Sequence, residues 1–306
     1  MRHATWRCIR DAGGRCRRPG AVAAAMAPAL HRRGDGMTAS GCATFRFDVG
    51  ERVAVWTHPA RPAGEVTGRW AGAEIGDPYG QDAYAVSGFV TRQREASLVA
   101  EGFRPLPVDT RDGWRMTGRG HFRVVAPGVV ESDGGPGILW YAAEEFGDAL
   151  VAVDWRLASA DDNSGVFVRM PPLTGDDPTP ATERGWEVQI DDLGVDHERG
   201  VTGSALHRTG AIYGRAPGDF PVSRPPGCWN RFEIETRGAS IVVRQNGVVV
   251  STLIDDERVP RRGHLGLQAH HPGSRVRFRG LQVRLLSPGR DGAGPGHEES
   301  RDPGSP

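Results

Sequence analysis

From residue 44 onward the chain is a succession of short runs rich in Val, Ile, Phe and Trp, each closed by Gly, Pro, Asp or Asn. Such runs are too short for helices, and they alternate apolar with polar residues, the period of a strand with one face on a core. The 43 glycines and 23 prolines among 306 residues supply the turns that so many strands need. Asn246-Gly247, between the runs Ser240–Gln245 and Val248–Leu253, is a hairpin signal, because both positions of a tight two-residue turn favour positive φ. The sequence reads as all-β.

The strands fall into two blocks. In 43–107 they are expected at 45–56, with a turn at Gly50, at Gly64–Trp70, at Ala83–Phe89 and at Phe103–Leu106, with one helical turn at Glu95–Val99. So small a sheet protects its edges by closing into a barrel. The order of Val49-Gly50, Arg52-Val53-Ala54-Val55, Gly64-Glu65-Val66 and Arg104-Pro105-Leu106 resembles SH3-like barrels, which implies peptide binding or docking on the neighbouring domain. In 108–286 strands are expected at Phe122–Val125, Val129–Glu131, Ile138–Trp140, Ala149–Leu157, Gly165–Met170, Trp186–Asp191 and Ala211–Tyr213. Further strands are expected at Asn230–Thr236, Ser240–Gln245, Val248–Leu253, Gly263–Ala269 and Val276–Leu286. This series fits two packed sheets in a jelly-roll sandwich. The irregular segments 171–185, 192–210 and 214–228 are long enough to point to function.

Residues 1–42 are expected to form a disordered leader, with Met37 as the start of translation, and 287–306 a disordered tail. Arg17-Arg18 and Ala39-Ser40-Gly41-Cys42 faintly resemble export signals but lack the flanking apolar segment, so a cytoplasmic location is expected. No apolar stretch approaches the roughly 20 residues that a membrane helix needs. The 38 basic residues, all Arg, balance 38 acidic ones, so no net field draws the chain to nucleic acid or an anionic membrane. Cys8, Cys16, Cys42 and Cys228 show no zinc-ligand spacing.

The faces of three strands carry the chemistry. Glu187, Gln189 and Asp191 alternate with Val188 and Ile190; Gly165, Phe167 and Arg169 with Val166, Val168 and Met170; Gly266, Gln268 and His270 with Leu267 and Ala269. An ordinary solvated sheet face carries Thr, Lys, Arg and Glu. Planar amides, carboxylates, imidazole and aromatic rings interleaved with glycine instead suit sugar hydroxyls and pyranose C–H faces.

Several segments in order resemble one family. They are 137–148 (GILWYAAEEFGD), Val153–Leu157, Asn163–Arg169, Gly185–Asp191, Thr209–Tyr213, Trp229-Asn230, Asn246-Gly247 and Gly266–His270. Together, over about 101–286, they are similar to the 3-keto-disaccharide hydrolase domain, a concanavalin-like fold. Two positions depart from its pattern: Ala269 stands where the family commonly has Asp, and Gly280 where it commonly has Asn.

The resemblance implies a glycoside already oxidised to a ketone at carbon 3, cleaved by elimination and rehydration. Such chemistry needs a general base, a stabiliser of the enolate and a proton donor to the leaving group. Glu187, Asp191 and His270 are the candidate acid–base groups and Arg169 the candidate enolate stabiliser. Asn163, Gln189, Tyr213, Trp229, Asn230 and Gln268 are candidates for holding the sugar. Glu187 and Asp191 lie about 13 Å apart along an extended strand, outside the roughly 5–10 Å of ordinary glycosidase pairs, which favours elimination modestly. No cofactor and no metal site is called for, with a divalent ion at Glu187, Asp191 or His270 left open; Asp196, His197, Glu198 and His207 show no ligand spacing. The rival readings are a carbohydrate-binding sandwich without catalysis and a partner-binding scaffold with a vestigial groove.

Overall fold

The computed structural model describes residues 46–287 except 59, 73, 79, 80, 220 and 255. The expectations for the leader, and for the tail beyond Ser287, lie outside these residues. All described residues belong to one compact unit. The first block holds β1 (Arg52–Val55), β2 (Ala63–Trp70), β3 (Ala83–Val86), β4 (Gln93–Arg94) and β5 (Leu98–Ala100), with a 3-10 turn at Glu95–Ser97. They form one antiparallel sheet in the order β4-β3-β2-β1-β5 around Phe47, Val53, Val66, Tyr84 and Leu98. Arg46–Val49 is a bend and turn rather than the expected strand, because the Arg46 and Phe47 amides donate to the Tyr84 hydroxyl instead of to a ladder.

The second block begins with β6 (Arg104–Pro105), β7 (Trp114–Gly118), β8 (His121–Ala126), β9 (Val129–Asp133), β10 (Gly137–Tyr141), β11 (Ala149–Leu157) and β12 (Asn163–Met170). It continues with helix α1 (Thr179–Arg184), β13 (Trp186–Asp191), β14 (Asn230–Arg237), β15 (Ser240–Gln245), β16 (Val248–Leu253), β17 (His264–Ala269) and β18 (Val276–Leu285). A front sheet runs β13-β12-β17-β10-β7, and a back sheet runs β16-β15-β14-β11-β18-β9-β8, with β6 also on β18. Their facing sides bury one continuous core that includes Trp155, Trp186, Phe232, Phe278 and Leu267. Burial at about 25 cal/mol per Å² of apolar surface makes this core the main stabilising term. The protein is an all-β, concanavalin-like jelly-roll sandwich preceded by a small β-sheet module.

The sequence pattern missed β4, β5, β7 and α1, and the expected helical turn at Glu95–Val99 ends at Ser97, Leu98 and Val99 pairing with β1 in β5. The expected strand at Ala211–Tyr213 reduces to single bridges of Ile212 to Val188 and Ala216. The expected strand at Phe103–Leu106 is present only as β6, which pairs with β18 of the sandwich and with no strand of the first block.

The small module lies on the outer face of the back sheet. Arg279 on β18 meets Glu95 at 2.9 Å and Asp154 at 3.3 Å. Asp154 in turn meets Arg231 at 3.2 Å, and Arg231 meets Glu233 at 3.3 Å. The Arg46 guanidinium donates to the Leu98 and Gly280 carbonyls at 3.0 and 3.2 Å. Gly280 has φ +59°, and a Cβ there would come within 2.4 Å of Arg46 Cζ. The departure from Asn at this position therefore makes room for the module's arginine.

Candidate active site on the front sheet

Register builds the site from three rows across the front sheet. Asn163 faces Asp191, Gly165 faces Gln189, and Phe167 faces Glu187. On the other side of β12, Val166 faces Leu267 and Phe167 faces Gly266, which sets Gln268 beside Gly165. The rows continue through Ile138 to Thr117 and through Trp140 to Arg115. The intervening residues Val166, Val188, Ile190, Leu267 and Ala269 point into the core. The polar floor spans about 10 Å across three strands and about 13 Å along them, enough for one pyranose ring and its leaving group.

Glu187 sits at the covered end of this floor, 7 % exposed, where α1 packs through Ala181 on Phe167, Trp140 and Met170. Its side chain lies over the bare backbone of Gly165, where a Cβ would stand 2.0 Å from its Oε1. That oxygen has no hydrogen-bond partner, and neither has Oε1 of Gln268. Burial alone pushes the Glu187 carboxyl up to about 8, so it stays protonated at neutral pH. Two orphaned buried oxygens, on the strands either side of β12, mark a place where the fold leaves hydrogen bonds for a ligand to make.

His270 lies beyond Gln268 at the open end. Its Nδ1 stands 2.8 Å from Nδ1 of His271. Burial first, then the charges of His271 and His197, push it down to about 4 against the opposing pull of Asp191, so the ring is neutral at neutral pH. Gln189 donates to Asn163 Oδ1 at 3.4 Å, and Asn163 donates to Asp191 Oδ2 at 3.2 Å. Tyr213 is tied to the Glu187 strand by its amide, which donates to the Glu187 carbonyl at 2.9 Å. Its ring is 40 % exposed and packs edge-on against His207. Burial, then the charges of Glu187, Asp196, Glu198 and Asp191, raise its phenol.

The structure thus brings together Glu187, Gln189, Asn163, Gln268, His270 and Tyr213. Four expectations are corrected. Arg169 is turned away by a register irregularity between Phe167 and Met170 and has φ +49°. Its guanidinium is held by Asp148 at 3.0 Å and by the Gly238 and Pro260 carbonyls, so it clamps the sandwich edge and is no enolate stabiliser. Asp191 is on the floor, but its carboxylate accepts the amides of Leu193, Gly194 and Val195 and organises the following loop, leaving it no freedom as a base. Trp229 leads into the back sheet, where Arg156 and Arg279 lie over its ring at 4.7 and 4.1 Å. Asn230, also on the back sheet, receives the Arg224 amide and the Asn246 side chain.

Ala269 has no exposed surface and faces the core, so the family's carboxylate at this position would not project onto the floor either. Sequence reasoning passed over His271, whose only signal was the His-His pair ending the last motif. Among the described residues no group of three or more His, Cys, Asp or Glu is arranged to hold a metal ion. Cys228 is disulfide-bonded. No described helix is long and apolar enough to cross a membrane. A cavity of about 420 Å³ lies elsewhere, between the small module and the back sheet. Arg94 pairs there with Asp77 and Arg279 with Glu95, while Arg46 donates to the Leu98 and Gly280 carbonyls and Asp109 accepts the Gly128 amide.

Comparison with known proteins bears on the fold and the family. A provisionally named glycosyl hydrolase of Parabacteroides distasonis superposes with TM-score 0.51 at 21 % identity, over 61 % of this chain and 95 % of its own. A second structure of that description from the same organism gives 0.46 at 22 %, over 60 % and 99 %. A carbohydrate-binding module from Bacillus subtilis gives 0.38 at 11 %, over 56 % and 95 %. No curated protein matches the chain. The first of these likenesses is one of fold, a jelly-roll sandwich. Residues 108–284 match the family model of the 3-keto-alpha-glucoside-1,2-lyase-like domain, and the chain belongs to that family. The family ties the sandwich to carbohydrate.

Proposed function

We propose that the sandwich cleaves 3-keto-glycosides by elimination followed by hydration. The observation that carries this reading is a buried carboxyl with an unpartnered oxygen, Glu187, on the same polar face as a neutral imidazole, His270, in a domain of this family. Groups on one face whose surroundings push their pKa values apart divide into acid and base, here one at each end of the floor. His270 is the base and Glu187 the acid.

The ketone acidifies the hydrogen on carbon 2. His270 takes that proton, and the C–H pair forms the enolate with its charge on the ketone oxygen. The enolate pair then forms the carbon 1–carbon 2 double bond as the carbon 1–oxygen bond breaks, and the departing oxygen takes the Glu187 proton. Water adds to carbon 1, its proton returning to Glu187, while the His270 proton returns to carbon 2. The sum is hydrolysis with both groups restored. With Arg169 committed to the sandwich edge, the side-chain amide of Gln268 is the neutral donor left to meet the enolate oxygen. The small module, read as an SH3-like barrel, serves as a docking element on the back sheet, supported by the Arg279–Glu95 and Arg46–Gly280 contacts.

The test is aglycone release by the full chain from a 3-keto-glucoside and from the unoxidised glucoside. Release from the keto substrate alone supports the reading. Release from neither, with sugar binding intact, moves the domain to a binding module without catalysis.

A further inference from the structure

His270 can act as a base only through a ring nitrogen that carries no proton, and which nitrogen that is depends on the bond made by the other. Nδ1 of His270 and Nδ1 of His271 stand 2.8 Å apart with the rings nearly perpendicular, at 86°. Two bare lone pairs do not approach to this distance, and two N–H groups do not either, so one nitrogen donates and the other accepts. His271 is the exposed member of the pair. A neutral imidazole in water prefers its proton on Nε2, which leaves Nδ1 as the acceptor. The Asp161 carboxyl is lowered first by the Ser159 hydroxyl and by its own backbone amide, and last by His271. His270 must then donate from Nδ1, and its Nε2, on the opposite side of the ring, keeps its lone pair. No partner for that Nε2 is found among the described residues.

We propose that His271 is a positioning residue that holds His270 as the Nδ1–H tautomer, so that Nε2 is free to remove the substrate proton. This rests on the reading of His270 as the base. When Nε2 takes the proton, the Nδ1–H bond to His271 is already in place, and the imidazolium that forms keeps an acceptor for its second N–H. His197 and Asp191 are the other charged groups acting on His270, and neither is needed to choose the tautomer.

Long-range proton–nitrogen NMR of the full chain reads the tautomer without turnover. The expected result is Nδ1–H for His270 in the wild type, a shift to mainly Nε2–H in His271→Phe, and recovery in His271→Asn, whose amide oxygen can accept. With a 3-keto-glucoside, His271→Phe lowers kcat about tenfold with KM unchanged, and His271→Asn restores most of it. Nε2–H at His270 in the wild type, or an unchanged tautomer in His271→Phe, overturns the proposal. Absence of turnover with the expected tautomer pattern instead overturns the elimination reading and leaves the positioning bond standing.

Discussion

The two outer faces of the sandwich both bury ionisable groups, and they treat them in opposite ways. On the back sheet Glu95, Arg279, Asp154, Arg231 and Glu233 form a chain of opposite charges, each within 3.3 Å of the next. On the front sheet Glu187 is buried with no cation acting on it and an oxygen without a partner. Glu95 shows that the contrast is one of pairing rather than burial. Burial pushes it up and Asp82 and Asp154 add to that, yet Arg279 and Arg46 pull it back, and it settles at about 7. A matched network fixes how the small module sits. An unmatched carboxyl is costly to the fold and is expected where chemistry needs it.

The sharpest way to break the comparison is to neutralise each carboxylate region in turn. Glu187→Gln is expected to lower kcat for a 3-keto-glucoside by about 10²–10⁴ while stabilising the fold at alkaline pH. The folded carboxyl stays protonated up to about 8, whereas the unfolded chain ionises near 4.5. Stability from this group is therefore fully present below 4.5 and is lost as pH rises toward 8, by up to about 4 kcal/mol. Denaturant midpoints from pH 5 to 9 should fall in the wild type and stay flatter in Glu187→Gln. Arg279→Met should do the reverse, costing about 3–5 kcal/mol because it takes from Glu95 its ion-pair partner, with kcat of the folded protein unchanged.

Gly280→Asn separates steric from electrostatic docking. Asn tolerates the positive φ, so the approach to Arg46 is what remains, and a loss of about 1–3 kcal/mol in chemical denaturation is expected, again without effect on kcat. The smallest contrast is between two residues that the sequence placed together. Gln268→Met should lower kcat/KM about tenfold by removing the donor to the enolate and one of the unpartnered oxygens. Trp229→Leu, on the other sheet, should leave kcat/KM unchanged.

Most of the fold was legible because a period of two and a Gly/Pro/Asn turn code are local. The strands Ala149–Leu157, Trp186–Asp191 and Val248–Leu253 have the bounds that alternation assigns. The site was legible to the extent that alternation continued. It held through Glu187, Gln189 and Gln268 and failed at Arg169, where one irregularity in β12 rotates the side chain out of phase. The role of Asp191 depends on three amides of a loop without regular structure, and that of Trp229 on which sheet its strand joins. Neither is encoded in spacing. The docking of the small module was the least legible part, since Arg46 and Gly280 are 234 residues apart.

The most direct measurement is the pH dependence of kcat/KM for aglycone release from a 3-keto-glucoside by the wild type and by Glu187→Gln. An acid–base pair of neutral His270 and protonated Glu187 predicts a bell that rises through about 4 and falls through about 8. The alkaline limb should disappear in the variant. A wild-type profile without that limb, an unchanged limb in Glu187→Gln, or no release at any pH would contradict the account.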